Sequence, residues 1–173
     1  MRIDIHGEIN QETIEKVISQ IENNYTDGET IELDFASAGG YIEAADTIVD
    51  ILQQAKAEGS HIVARNSGDV CSAATIIWLF ADERVWDNSY RFLIHNPYLE
   101  AASGDVDSLL AQVKELIEVE DDLANLYSVV STKNKTELFK IMKENRPLTL
   151  DELQKLNFIT HKVKKVRKYN KAQ

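Results

Sequence analysis

The chain has 173 residues, 43% of them hydrophobic, and a formal net charge of −10; this length supports one domain with a real core and is too short for two large ones. The acidity argues against general nucleic-acid binding. No apolar run is long enough to span a bilayer and Met1 to Ile5 lacks the apolar region of a signal peptide, so a soluble, cytoplasmic protein with no membrane partner is expected. Its single cysteine, Cys71, cannot form an internal disulfide, in agreement with a reducing compartment.

Arg2 to His6 alternates Ile3 and Ile5 with polar residues and reads as a strand closed by Gly7. Asn10 then caps a helix whose Ile14, Val17, Ile18 and Ile21 share one face. Asn23 to Gly28 is a turn. Thr30 to Phe35 is a second strand running into Ala36-Ser37-Ala38-Gly39-Gly40, and a second helix carries Ala44, Ala45, Ile48, Val49, Ile51, Leu52 and Ala55. A third strand, His61 to Ala64, leads to Gly68-Asp69-Val70-Cys71-Ser72-Ala73-Ala74, where a small-residue turn feeds an apolar helix. Arg84 to Trp86 and Arg91 to Ile94 are short strands, the second stopped at Pro97 just after His95.

A long amphipathic helix spans about 105–130, with Val106, Leu109, Leu110, Val113, Leu116, Ile117 and Val119 apolar and a strongly acidic opposite side. It exceeds what a small domain needs to cover its sheet, so it is expected to project and pair with another copy. Asp121-Asp122 has no flanking His or glycine-turn signature and reads as solvated helix charge, not a metal site. Thr136 to Glu144 forms another helix, and Thr149 caps the last. From His161 onward Lys162, Lys164, Lys165, Arg167, Lys168 and Lys171 stand with no carboxylate, so 161–173 is a basic tail on an acidic body, divided from a single domain over 1–160.

Alternating strands and helices of these lengths make an α/β fold of parallel crossovers, in which ligands gather at the carboxyl ends of the strands. Gly39-Gly40 and Ser72 both fall at that end. The glycine pair fits either a tight turn or backbone amides that must approach a ligand with no Cβ in the way. Ser72, at the start of a helix, meets unpaired amide donors able to stabilise an oxyanion. Serine is a poor nucleophile until a base of near-neutral pKa takes its proton, and His95 at a strand end has the setting for that role. His6, His61 and His161 lack such a setting and read as surface residues, and Cys71 is a weaker nucleophile candidate than its neighbour Ser72.

These residues together resemble the proteolytic subunit of the Clp protease, particularly its short relatives in phages and prophages. Ala36 to Gly40 is similar to the family's Ser-Pro-Gly-Gly turn, Gly68 to Ala74 to its serine motif, and Phe92-Leu93-Ile94-His95-Asn96-Pro97 to its histidine motif, in the family's order and with 23 residues from Ser72 to His95. Thr149 to Ile159 resembles the closing segment, with Asn157 in the place of a glycine. The resemblance implies a ClpP/crotonase-like fold of repeated β-α-β units, the long helix serving as a handle and copies assembling as a ring. It implies a serine endopeptidase acting on polypeptides inside a chamber, in protein turnover or phage head maturation, with no cofactor and no metal. Ser72 would be the nucleophile, His95 the base, and backbone amides at Gly40 and Ala73 the oxyanion hole.

Three departures qualify the likeness. Ala38 stands where the family has proline. The chain begins at the first core strand without the family's axial segment, which argues against docking to a Clp-type ATPase. The family's triad aspartate falls in Lys140 to Arg146, where this chain has none. Glu144 and Asn145 are nearest, and Glu144 is the choice because it can both orient and neutralise the His95 cation. The alternative to an active peptidase is a catalytically inactive ring or scaffold subunit.

Overall fold

The computed structural model describes residues 1–99 and 101–163; the rest of the basic tail lies outside the described residues. Among the described residues six strands, β1 (Arg2–Ile9), β2 (Ile31–Gly40), β3 (Ile62–Cys71), β4 (Glu83–Trp86), β5 (Phe92–Leu93) and β6 (His161–Lys162), form one sheet. The helices are α1 (Gln11–Asn24), α2 (Ile42–Ala57), α3 (Ala74–Phe80), α4 (Val106–Val130), α5 (Lys135–Glu144) and α6 (Leu150–Lys155). The order is β1-β2-β3-β4-β6 with β5 also on β3, and every pairing is parallel, as successive crossovers require.

The caps arise as the side-chain chemistry dictates. Asn10 accepts from the Thr13 amide at 3.2 Å to open α1, and Thr149 with Glu152 forms a reciprocal capping box on α6. A second box, Asn134 with Glu137, starts α5 one residue before the Thr136 boundary expected from the sequence.

Two strands run further than their glycines suggested. β2 continues to Gly40 and β3 to Cys71 because the ladder tolerates bulges: Phe35 pairs with Asn66 and Ser37 with Val70, so Ser67 to Asp69 on β3 stand opposite Ala36 alone. Gly68 permits this approach, since a Cβ there would lie 2.7 Å from the Ala36 Cβ. Before the bulge β3 pairs with β4, and after it with β5, through Val70–Phe92 and Cys71–Leu93. The bulge thus turns the end of β3 toward the strand that leads to the histidine. Asp69 ties this corner, accepting from the Arg91 amide at 2.8 Å and from its guanidinium at 2.6 Å.

Beneath the corner lies an aromatic core. Trp78 stacks edge-on against Phe35, Trp86 and Phe92 at centroid distances of 5.4, 5.7 and 6.2 Å, and its indole N–H donates to the Phe158 carbonyl at 2.9 Å. These are among the largest fully buried side chains, so the sheet end that bears the small-residue turns rests on rigid packing. Along the first part of α4, Val106, Leu110, Val113 and Ile117 are more than half exposed, while Leu123, Ala124 and Tyr127 near its end are buried. The helix therefore anchors by its C-terminal half and projects an apolar face from its N-terminal half. Among the described residues no helix is long and apolar enough to cross a membrane.

Candidate active site

Ser72 follows β3 directly, with a positive φ of 54° that is uncommon and strained for a residue bearing a Cβ. Three contacts enforce it. Its amide donates to the Leu93 carbonyl at 2.8 Å. Its carbonyl accepts from the Thr75 hydroxyl at 2.6 Å, and Thr75 Oγ1 in turn accepts from the Tyr127 hydroxyl at 2.9 Å. Gly39, at φ 108°, presses on it from β2; a Cβ on Gly39 would sit 2.5 Å from Ser72 Cβ. Tyr127 is fully buried and its phenol is pushed up to about 12 by that burial, so it stays a neutral donor.

His95 lies two residues beyond the end of β5, past the Cys71–Leu93 pair, where parallel neighbours run about 4.8 Å apart. Its Nδ1 lies 2.6 Å from the Asn96 carbonyl. A carbonyl only accepts, so Nδ1 carries the proton, and in the neutral ring Nε2 is the free base. The Asn96 side-chain amide donates to Glu120 on α4. The Tyr98 ring lies beside the imidazole, with centroids 6.0 Å apart.

Ser72, His95, Gly39 and Gly40 line one cavity of about 820 Å³ between the sheet end and α4. No hydrogen bond joins Ser72 to His95 among the described residues. The Gly39 amide is spent on Ser37 Oγ at 3.1 Å. Ala73, just before α3 and 2% exposed, has an amide that meets no acceptor among the described residues. Cys71 is buried and its thiol is pushed up to about 11, chiefly by desolvation, so it stays protonated at neutral pH, which removes it as a competing nucleophile.

Glu144 is not brought to this group. Its carboxylate accepts from Arg146 at 2.8 Å, and Arg146 also grips Glu152 at 2.5 Å, holding that carboxyl down at about 2. The physical reason is local: an arginine two residues away offers a full charge, whereas reaching the imidazole would require leaving it. Asn145, the other residue near the expected acid, takes the left-handed C-cap of α5.

Sequence reasoning passed over four residues that matter here. Thr75 and Tyr127 brace the serine, and Asn96 and Glu120 hold the histidine loop. Asn96 stood inside the histidine motif, but Tyr127 and Glu120 are signalled only by three-dimensional proximity. A separate cluster also went unforeseen: Asp34 Oδ2 accepts from Arg2, His6 and Ser67 at 2.8, 2.8 and 2.7 Å, so His6 is tied into a polar network across β1, β2 and β3.

The chain matches the Clp protease family over residues 1–165. Among solved structures it is similar to ClpP1 from Listeria monocytogenes, at 24% identity and a TM-score of 0.74, and to an asparagine-to-aspartate mutant of ClpP1 from that organism, at 25% and 0.79. Each alignment covers 94% of this chain and 91% of the other. The architecture is thus the ClpP, crotonase-like one. No curated protein matches the chain.

Proposed function

The chain belongs to the Clp protease family, whose members are serine-type peptidases that assemble as rings and act on polypeptides, and we propose that this chain is itself an active serine endopeptidase. The observation that supports this most is the strained Ser72 turn opening into the same cavity as His95, with the imidazole held so that Nε2 is the free nitrogen. In the proposed reaction Nε2 takes the Ser72 proton as Oγ attacks the scissile carbonyl carbon. Negative charge gathers on the carbonyl oxygen, where the amides of Gly40 and Ala73 are the proposed donors. His95 then returns the proton to the leaving amine, and water releases the acyl group by the same steps in reverse order.

In this reading the Asn96 carbonyl orients the ring, and Glu144 would act on His95 only by exchanging its bond to Arg146. The exposed apolar face of α4, from Val106 to Ile117, is the proposed contact between copies in a ring. Casein degradation by the assembled protein, with assembly mass followed by light scattering, tests the proposal. Cleavage that disappears in both Ser72→Ala and His95→Ala, with the mass unchanged, is the expected result. Assembly with no cleavage by the wild type would instead establish the inactive ring subunit.

A further inference from the structure

Resting on Ser72 as the nucleophile, we infer that the cavity selects polypeptide segments carrying a lysine or arginine side chain close to the cleaved bond. Among the described residues three carboxylates line it, Glu8 after the β1 bulge, Glu43 in the first turn of α2 and Glu115 on α4, and no Lys or Arg does. All three are exposed, and none belongs to an ion pair among the described residues. Elsewhere among the described residues Glu12, Glu29, Glu32, Glu137, Glu144 and Glu152 are each taken by a cation, whereas Glu15, Glu22, Glu58 and Glu120 stand unpaired but singly, away from any shared cavity with a second unpaired glutamate and the serine. The cavity therefore holds negative charge that the protein leaves unbalanced.

Two exposed tyrosines complete the surround. Tyr41 is 52% exposed and Tyr98 70% exposed, and both line the same cavity. Aromatic faces beside carboxylates attract cations through the ring quadrupole as well as through charge, a combination that suits a long basic side chain and repels an acidic one. Asp46, one turn along α2 from Glu43, shows the same excess: burial first, then Asp50 and Glu43, hold its carboxyl above the usual range. The three glutamates do not form a metal cage, since only Asp4, His6 and Asp34 bring ligand atoms within 4.8 Å of one another among the described residues. The carboxylates come from three different elements around the cavity, so they can meet different side chains of one extended peptide.

Quenched peptides identical except for Lys, Leu or Glu beside the cleavable bond, given to the assembled wild-type protein, test this. Expected kcat/KM falls in the order Lys, Leu, Glu, with roughly tenfold between the ends at low salt and a smaller ratio near 0.5 M salt. Glu43→Gln or Glu8→Gln is expected to cut the Lys-to-Glu ratio about threefold. Equal rates for the three peptides overturn the inference while leaving the peptidase reading intact. Binding of the lysyl and glutamyl peptides to Ser72→Ala protein, read by fluorescence anisotropy, separates the two ideas. Tighter lysyl binding supports the charge selection even where wild type cleaves nothing, and equal affinities overturn it even where wild type is active.

Discussion

The two sides of the cavity are built to different standards. Ser72 is held by a backbone bond to β5, by the Thr75 and Tyr127 relay beneath it and by the glycine pressed against its Cβ, all of them set in buried structure. His95 depends on the carbonyl of its own neighbour, and that neighbour depends on one side chain from α4. The proposed nucleophile is thus fixed by the core, while the proposed base is fixed by the helix whose exposed half is proposed to meet another copy. A site made this way has one permanent half and one half that assembly can adjust, since α4 carries both Glu120 and the apolar face.

Substitutions can break that contrast in a graded order. Gly39→Val strikes the permanent half hardest, because φ 108° costs a β-branched residue about 1–3 kcal/mol and its Cβ would intrude on Ser72. Peptide hydrolysis is expected to fall by more than about 100-fold, the scale of a displaced reacting group, with circular dichroism confirming that the fold survives. Retained activity would show that the serine turn can relax. Tyr127→Phe removes one hydroxyl from the relay and should lower unfolding stability by about 1 kcal/mol in denaturant titration, while Thr75 keeps its own bond to Ser72 and holds the rate within roughly threefold. Glu144→Gln is expected to do least, because its charge is already committed to Arg146. A fall of about four orders of magnitude, as when a triad loses its charge, would mean that Glu144 moves to His95 in the working assembly and that Asn96 is only a resting partner.

Much of this arrangement was legible in the residues. Alternation around Ile3 and Ile5, the caps at Asn10 and Thr149, and the small-residue exits near Gly39 and Ser72 are local signals, and local physics put the elements where they were expected. The continuation of β2 and β3 through their glycines was not legible, because the bulge at Ser67 to Asp69 exists to satisfy two different partner strands. Nor were the Tyr127 bond, 52 residues from Thr75, or the Glu120 contact, 24 residues from Asn96. Both come from the course of α4 across the site, which no periodicity encodes. Glu144 has the charge for the acid, but Arg146, two residues on in the same sequence, is the partner its carboxylate takes.

The central claim is that one hydroxyl is made reactive by one imidazole. Intact-mass measurement after treatment with a fluorophosphonate tests it most directly. A single adduct mapping to Ser72 in the wild type, absent from Ser72→Ala and strongly slowed in His95→Ala, is the result this account requires. Wild-type protein no more labelled than Ser72→Ala, in the assembled state, would contradict it.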